Sequence, residues 1–185
     1  MPVQPGRPVN DPMRSDAMRS DARLHDVCFV DARCGWAVGD RGTVWHTEDG
    51  GQEWRLQRSG VCGRLESVWF IDPKRGWAAG GRSHPYTHTS SGIVLKTEDG
   101  GRTWTHDPRL LLPALKRVRF VDDRHGWAAG NASAMFPSGV FVTDSGGRSW
   151  RPLPGGKTAG WTAADLLDPL SGAIAGRAGA VAVIR

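Results

Sequence analysis

Apolar residues occur in short runs along the chain, and turns containing Gly or Pro separate one run from the next. Three runs share the pattern V-x-F-[VI]-D, which would place apolar side chains on both faces of an extended strand. Their apolar residues are Val27, Phe29 and Val30, then Val68, Phe70 and Ile71, then Val118, Phe120 and Val121. Such strands are buried on both faces, and no long segment has the spacing of an amphipathic helix. The pattern therefore predicts an all-β fold of sheets packed against each other.

Each run opens a longer repeat, which predicts four short strands in roughly 45 residues. The first strand is followed by G-W-A-[AV]-G, centred on Trp36, Trp77 and Trp127. The third strand is predicted at 43–47, 93–97 and 140–143, and the fourth begins at Trp54, Trp104 and Trp150. Four antiparallel strands per repeat are typical of a β-propeller blade. We also expect the Gly residues beside each Trp to leave room for its indole against the next blade.

The repeat also predicts the domain organisation. Residues 1–23 contain two copies of MRSDA and no strand pattern, so we predict a disordered tail. Residues 24–185 are predicted to form a β-propeller segment with blades at approximately 24–60, 61–110, 111–156 and 157–185. The fourth repeat contains no outer strand, so we expect about three complete blades plus a partial fourth. An incomplete or open propeller would expose apolar blade faces, which missing blades or a homo-oligomer would cover.

The segment between the third and fourth strands reads T-E-D-G-G-x-x-W in the first two repeats. An Asp in a tight turn accepts hydrogen bonds from backbone N–H groups, and the following Gly residues can adopt positive φ. The predicted turn residues are Thr47, Asp49, Gly51 and Trp54, then Thr97, Asp99, Gly101 and Trp104, and finally Thr143, Gly147 and Trp150. In the third repeat Ser145 replaces the Asp and Asp144 lies one residue early, so we expect a weaker turn there.

The S/T-x-D-x-G-x-x-W pattern resembles the Asp-box, also called the bacterial neuraminidase repeat. The fuller unit, V-x-F-x-D-x-x-x-G-W-A-x-G followed by T-E-D-G-G-x-x-W, resembles the β-propeller family of photosystem II assembly and stability factors across residues 24–185. This resemblance implies a non-enzymatic propeller that acts as an assembly or binding platform. It also implies about seven blades and an exported or lumenal protein, whereas this sequence contains three blades and part of a fourth.

Glycan-active hydrolases also contain Asp-boxes and provide the alternative function. A sialidase would need an Arg cluster, carboxylates and a Tyr nucleophile, but Tyr86 is the only Tyr. A xyloglucanase-like hydrolase would need two opposed carboxylates. The repeated acids Asp31, Asp72, Asp122 and Asp168 instead occupy equivalent strand ends, which is typical of turn formation. We therefore predict no catalytic residues, with a fragment of an Asp-box hydrolase or a glycan-binding module as the alternative.

Composition and charge exclude further classes of protein function. No apolar run approaches the ~20 residues of a membrane span. Residues 1–23 contain no signal-peptide core, so a cytoplasmic protein is the default expectation, and an exported or lumenal one if the N-terminus is truncated. The formal net charge of +5 is not a nucleic-acid signature by itself, and an acidic protein segment fits it equally well. We expect no nucleic-acid partner.

Cysteine and histidine positions indicate no cofactor or metal. Cys28, Cys34 and Cys62 contain no CxxC spacing, so free thiols are expected. The histidines at positions 84 and 88 flank Tyr86 in a segment that also contains Pro, Ser and Thr. Such a segment predicts a solvated loop rather than the helix on which two His four residues apart bind a metal.

One repeated feature is not required by the fold. Arg33, Lys74 and Arg124 occupy the same position in the turn between the first and second strands, with Leu170 in the fourth repeat. Equivalent positions of a propeller lie on one rim, so these residues would form a basic arc that binds an acidic segment of a protein partner. A solvated turn that favours long polar side chains is the alternative interpretation.

The opposite rim is expected to carry the variable loops at 40–41, 81–91 and 131–138, together with the Leu-Leu-Leu-Pro connector at 110–113. Variable insertions on one face of a repeat fold often form its binding face. An exposed Leu triplet would be a contact patch, although burial against a loop is an equal alternative. The sequence therefore favours a non-catalytic propeller that binds a protein partner.

Overall fold

The computed structural model describes residues 21–84, 86, 89–153, 161–168, 171–176 and 181–184. Within them, fifteen strands form four antiparallel sheets, with one 3₁₀ turn at Asp40–Gly42. Blade 1 contains β1 (Leu24–Phe29), β2 (Gly35–Gly39), β3 (Thr43–Thr47) and β4 (Arg55–Arg58), and blade 2 contains β5 (Arg64–Phe70), β6 (Gly76–His84), β7 (Thr89–Thr97) and β8 (Thr105–His106). Blade 3 contains β9 (Leu115–Phe120), β10 (Gly126–Gly130), β11 (Val140–Thr143) and β12 (Arg151–Pro152), and sheet 4 contains β13 (Trp161–Asp168), β14 (Ser171–Gly176) and β15 (Val181–Ile184).

Three sheets of four strands and one of three confirm the prediction of an all-β, partial propeller. Strands pair in sequence order within each sheet, and each pair of neighbouring strands is antiparallel. Residues 1–20 of the predicted tail lie outside the described residues, as do residues 154–160 around the predicted border of the third and fourth blades.

The predicted loop at 81–91 is largely a hairpin rather than a loop. β6 and β7 continue to pair through Arg82 with Ser91 and Ser83 with Ser90. Small side chains on both strands allow the ladder to extend beyond the core, where the sequence contains too few apolar residues to indicate a strand. Tyr86 lies at the tip of this extension and is almost fully exposed.

Each blade contacts the next through a stacked aromatic pair. Trp36 of β2 is fully buried and stacks on Phe70 of blade 2, with ring centroids 3.6 Å apart and planes 9° apart. Trp77 of β6 stacks in the same way on Phe120 of blade 3, at 3.7 Å and 8°. This placement explains why apolar residues face both sides of the inner strands, since one face packs on the preceding blade and the other on the following one.

In each of these contacts the indole N–H of the Trp also donates a hydrogen bond to a backbone carbonyl of the following blade. We call the stacked pair together with this hydrogen bond a blade joint. Trp36 Nε1 donates to the carbonyl of Gly100, 3.0 Å away in the following blade. Trp77 Nε1 donates to the carbonyl of Gly146 at the same distance. Both acceptors are the first Gly after the Asp position of the next turn. The joint therefore satisfies a buried indole N–H at a place where an unpaired donor would be costly.

The first Gly of G-W-A makes room for a different ring from the one expected. A Cβ atom on Gly35 would lie 2.6 Å from the ring of Phe29, which is its cross-strand partner in the same sheet. Gly76 and Gly126 have the same relation to Phe70 and Phe120. The small residue therefore lets the inner-strand Phe lie flat over its own sheet, and that ring is the platform on which the indole of the preceding blade stacks.

Ion pairs join the inner strands of blades 1, 2 and 3. Lys116 of blade 3 contacts Glu66 of blade 2 at 2.7 Å, and Arg117 contacts Asp26 of blade 1 at 3.3 Å. The Asp26 carboxylate also accepts hydrogen bonds from Ser67 Oγ and the Val68 N–H, each 3.0 Å long. These contacts fix the relative positions of the three blades and so of the loops that they carry.

Candidate binding surface

The first two Asp-box turns share the hydrogen bonds of their Thr hydroxyl. Thr47 Oγ1 donates to Asp49 Oδ1 at 2.8 Å and accepts from the Gly51 N–H at 2.9 Å. The same Asp49 oxygen accepts from the N–H groups of Gln52 and Glu53. In the second turn, Thr97 donates to Asp99 and accepts from Gly101 at 2.9 and 2.8 Å. Trp54 and Trp104 pack edge-on against Phe29 and Phe70 in the same way. The Trp54 indole donates to the Gly51 carbonyl at 3.1 Å, whereas Trp104 Nε1 has no hydrogen-bond partner among the described residues.

Hydrogen bonds hold the Asp-box carboxylates in the ionised state. The Glu53 backbone N–H and the Thr47 hydroxyl lower the pKa of Asp49. Partial burial opposes this effect at Asp99, yet hydrogen bonds from Thr103 and Thr97 still lower its pKa. A carboxylate bound in this way is a turn element without a free proton to give to a substrate.

The third turn has a hydroxyl where the others have a carboxylate. Ser145 Oγ lies 3.2 Å from Thr143 Oγ1 and accepts from the Ser149 N–H at 3.0 Å. The Gly147 N–H still donates to Thr143, and Trp150 still donates to the Gly147 carbonyl, both at 3.1 Å. The turn keeps its shape with neutral hydrogen bonds, which are weaker than those to a charged oxygen.

The substitution Ser145→Asp is therefore expected to raise the free energy of unfolding by about 1 kcal/mol, because a carboxylate would accept the Thr143 and Ser149 bonds more strongly. Urea denaturation of the two proteins measures the difference. Val121→Asp is the control for the added charge, since Val121 is exposed on the same rim but lies outside this turn. Equal stability of Ser145→Asp and the wild type would contradict this reading of the turn.

Arg33, Lys74 and Arg124 lie on the same rim as the Asp-box turns, which we call the constant rim. The backbone carbonyl of each accepts a hydrogen bond of 2.8–2.9 Å from the first turn Gly of the same blade, namely Gly50, Gly100 and Gly146 respectively. All three side chains are exposed. The structure thus places them at equivalent positions around one rim, each tied to its Asp-box.

The repeated acids beside them form tight turns. Asp31 Oδ1 accepts from the N–H groups of Arg33 and Cys34, each at 2.7 Å, and Asp72 and Asp122 repeat this arrangement. The two backbone bonds lower the pKa of Asp31. Desolvation opposes ionisation of Asp122, but hydrogen bonds from the backbone and ring of His125 lower its pKa to about 2. The side chain of Asp168, in the fourth repeat, lies outside the described residues.

The constant rim carries more acids than bases. Its turns at 30–34, 47–54, 71–75, 97–104, 121–125 and 143–150 contain six Lys or Arg and ten Asp or Glu residues. Arg33 Nε donates to the Glu48 carbonyl at 3.2 Å, and Arg75 contacts Asp72 at 2.6 Å. Acids supplied by the Asp-box turns therefore surround the predicted basic arc and reduce its attraction for an acidic partner.

The opposite rim carries the turn at 40–42, the connectors at 59–63 and 107–113, the end of the β6–β7 hairpin and the loop at 131–138. We call it the variable rim, and it carries more basic than acidic residues. Its described residues include six Arg, and all six are exposed. These are Arg23, Arg41, Arg58, Arg64, Arg82 and Arg109, and the acids near them include Asp21, Asp40 and Asp107. Asp40 pairs with Arg64 at 2.9 Å and Asp107 pairs with Arg109 at 3.0 Å. Arg82 makes no ion pair with any residue that the structure describes.

A groove of about 1420 Å³ crosses the variable rim from the connector at 60–63 to the loop at 131–136. The β6–β7 hairpin, including Arg82, and the connector at 110–113 form its walls, with Lys116 at its base. Leu111 and Met135 line it with side chains that are 80% and 74% exposed. The Leu triplet is thus split in exposure: all three residues line the groove, but Leu112 is buried, Leu110 is half-buried and Leu111 is largely exposed.

Other candidate chemistry finds little support in the described residues. The three cysteines are free, and no group of three or more His, Cys, Asp or Glu residues could hold a metal ion in the described ranges. Position 88 of the His-Pro-Tyr-Thr-His segment lies outside those ranges. Within them, no helix combines the length and apolar character that a membrane crossing requires.

Sequence reasoning placed the loops at 81–91 and 131–138 and the connector at 110–113 on one rim as a candidate binding face, and residues of all three line the groove. It did not identify Arg82 as the cation of this face, and it missed the Trp-to-Gly hydrogen bonds. Leu111 and Arg82 lie in unrelated, non-repeated segments that only the propeller brings together, so no repeat signal identifies them. The composition of the two rims does carry a signal. The predicted turn and loop segments, sorted by rim, would have assigned the acids of the Asp-boxes to the constant rim.

Comparison with known proteins agrees with this architecture. The family model described as photosynthesis system II assembly factor YCF48 matches residues 9–108, which is more than half of the chain. The solved structure of YCF48 bound to D1 peptide is 24% identical, with a TM-score of 0.63, and the match covers 89% of this chain and 50% of that one. YCF48 from Cyanidioschyzon merolae is 20% identical, with the same TM-score, and the match covers 89% of this chain and 54% of that one.

The chain thus spans about half the length of these two solved proteins. At these identities the structural likeness shows a common fold, and a search of curated proteins found no significant match. The match to the family model is the stronger result, because it includes blade 1, most of blade 2 and both complete Asp-boxes. The chain therefore belongs to the photosynthesis system II assembly factor YCF48 family.

Proposed function

We propose that this chain is a non-catalytic scaffold of photosystem II assembly that binds an extended polypeptide segment in the groove of the variable rim. The observation that carries the proposal is the pair Leu111 and Met135, two apolar side chains left largely exposed on the walls of one groove. Exposed apolar side chains in a concave site favour a ligand that buries them. A relative of known structure binds a D1 peptide, which supports a polypeptide ligand.

The charges of the groove indicate the kind of segment. Arg82 lies on one wall, where no described acid pairs with it, and Lys116 lies at the base, where it pairs with Glu66. A cationic site with apolar neighbours suits a peptide that combines apolar side chains with an acidic side chain or a terminal carboxylate. The basic arc of Arg33, Lys74 and Arg124 is the second candidate surface, and the excess of acids around it makes it less favourable.

A glycan-active hydrolase is not favoured. Such an enzyme needs one carboxylic acid with a raised pKa to protonate the leaving oxygen. The repeated acids have lowered pKa values instead, and the pKa of Asp122 is about 2. Because turn backbone groups use these carboxylates, they support a structural role rather than a catalytic one.

Titration calorimetry with the D1 peptide tests the proposal. We expect the wild type to bind, and both Leu111→Ser and Arg82→Glu to weaken binding about tenfold, because each removes roughly 1.4 kcal/mol of interaction. Val121→Ser and Arg148→Glu are matched controls, since they change an exposed apolar and an exposed cationic residue of the constant rim. We expect neither control to change the affinity.

A triple variant distinguishes the two candidate surfaces. It reverses the charges of Arg33, Lys74 and Arg124. We expect this triple variant to bind like the wild type. If it alone loses the peptide while the groove variants retain it, binding occurs on the constant rim and the proposal for the groove is wrong. Absence of binding by the folded wild type would overturn the proposed ligand itself.

A further inference from the structure

Lys116, at the base of the groove, takes part in an ion pair between two blades. Its Nζ atom donates to Glu66 Oε1 of the neighbouring inner strand β5 at 2.7 Å. The Lys116 side chain is 41% exposed and lines the groove, whereas that of Glu66 is 17% exposed and is not among the described side chains that line it. A ligand in the groove would therefore meet the Lys116 ammonium with the Glu66 carboxylate behind it.

Charged side chains from all three blades hold Glu66 in place. Arg64 Nη1 lies 3.5 Å from Glu66 Oε1, and Arg64 Nε donates to Asp40 Oδ1 at 2.9 Å. His25 Nε2 lies 2.9 Å from the same Asp40 oxygen. Burial of Glu66 favours its protonated form, but the hydrogen bond and the charge of Lys116 outweigh this effect and lower the pKa of Glu66. Glu66 is therefore a fixed negative charge at neutral pH.

The two cations of the groove thus differ in the charge that they offer to a ligand. Arg82, on the wall, makes no ion pair with a residue that the structure describes, so a ligand carboxylate would meet its full charge. At Lys116 the same carboxylate would be attracted by the ammonium and repelled by Glu66. Because Glu66 is mostly buried, solvent and salt screen this repulsion less than they would on an open surface.

We propose that Glu66 is a specificity-determining residue of the groove, which limits its preference for a polypeptide segment that carries a carboxylate. Glu66 acts through Lys116, since it orients the ammonium and offsets its charge, and it is therefore a positioning residue that does not touch the ligand. The carboxylate can belong to an acidic side chain or to a chain terminus, because the two have the same chemistry. This role rests on the proposed function, which places the polypeptide in the groove.

Titration calorimetry with two peptides tests this role. The first is the D1 peptide, and the second is its uncharged analogue, with Asn and Gln in place of Asp and Glu and an amide at the C-terminus. The quantity compared is the charge selectivity, which is the affinity for the first peptide divided by that for the second. A variant that only distorts the groove weakens both peptides alike and leaves this ratio unchanged. A third peptide, amidated at the C-terminus but otherwise unaltered, distinguishes a terminal carboxylate from an acidic side chain.

Glu66→Gln is expected to raise the charge selectivity about tenfold, because the amide can still accept from Lys116 but no longer repels the ligand. Lys116→Gln should lower the charge selectivity about threefold, since it removes the cation and leaves Glu66. The double variant should lose the gain of Glu66→Gln, because Glu66 acts through Lys116. Glu98→Gln is the matched control, since Glu98 pairs with Lys96 at 2.8 Å on the constant rim, and we expect it to leave the ratio unchanged.

Far-UV circular dichroism verifies that each variant folds. If the wild type binds the D1 peptide but Glu66→Gln has the same charge selectivity, Glu66 does not determine specificity, although the proposed function stands. A gain that persists in the double variant means that Glu66 does not act through Lys116, and it also overturns the proposal. If the folded wild type binds neither peptide, the proposed function fails and the role of Glu66 fails with it.

Discussion

Replacement of Trp77 by Ala is expected to lower the free energy of unfolding by about 4 kcal/mol, the largest effect of any single substitution proposed for this chain. The indole is fully buried, stacks on Phe120 at 3.7 Å and donates to the Gly146 carbonyl. Its loss leaves a cavity between blades 2 and 3 and an unpaired buried carbonyl. Urea denaturation followed by far-UV circular dichroism measures the change.

The hydrogen bond can be separated from the stacking by a matched pair of substitutions. Trp127 occupies the same position in blade 3 and is also fully buried, but its Nε1 has no hydrogen-bond partner in the described part of the chain. Trp77→Phe should therefore cost about 1 kcal/mol more than Trp127→Phe, since only the first loses a hydrogen bond. Equal costs for the two, or a cost below about 2 kcal/mol for Trp77→Ala, would contradict the role assigned to the joint.

Asp99→Ala is expected to lower the free energy of unfolding by about 2 kcal/mol. The carboxylate accepts hydrogen bonds from the Thr97 hydroxyl, the Thr103 N–H and the Thr103 hydroxyl, at 2.7–2.9 Å. Loss of these charge-assisted bonds would loosen the turn that supplies the Gly100 carbonyl to Trp36 in blade 1. The effect should therefore extend to the joint between blades 1 and 2.

Glu98→Ala is the control for the change of charge. Glu98 is adjacent, mostly exposed and paired only with Lys96 at 2.8 Å among the described residues, and surface pairs contribute at most about 1 kcal/mol. Hydrogen exchange of the blade 1 and blade 2 amides should increase in Asp99→Ala and remain unchanged in Glu98→Ala. An equal loss of stability in both variants would mean that charge, rather than turn geometry, accounts for the effect.

The repeat explains how much of the fold the sequence could predict. Trp36, Trp77 and Trp127 recur beside the same Gly and Ala residues, so strand identity, order and burial follow from alignment of the repeats alone. The joint could not be predicted in the same way, because the acceptor of the Trp36 indole lies 64 residues away in the next turn. Only the stacking of the blades brings Gly100 to that N–H.

Less of the candidate site than of the fold could be predicted from the repeat. The positions of Arg33, Lys74 and Arg124 follow from the repeat, but their electrostatic surroundings do not. Glu48, 15 residues after Arg33, reaches the same rim through a different turn. The groove depends on segments that do not repeat, since Leu111 lies in a connector and Met135 in a variable loop. Its apolar walls therefore required the three-dimensional arrangement of blades 2 and 3.

Photo-crosslinking with the D1 peptide tests the central claim most directly, because it locates the peptide on the chain. A peptide with photoreactive residues would be bound, irradiated and digested, and the crosslinked segments identified by mass spectrometry. We predict crosslinks to the groove segments at 82–93, 110–116 and 131–136. Crosslinks confined to the turns at 31–34, 72–75 and 122–125 would place the peptide on the constant rim and contradict the account.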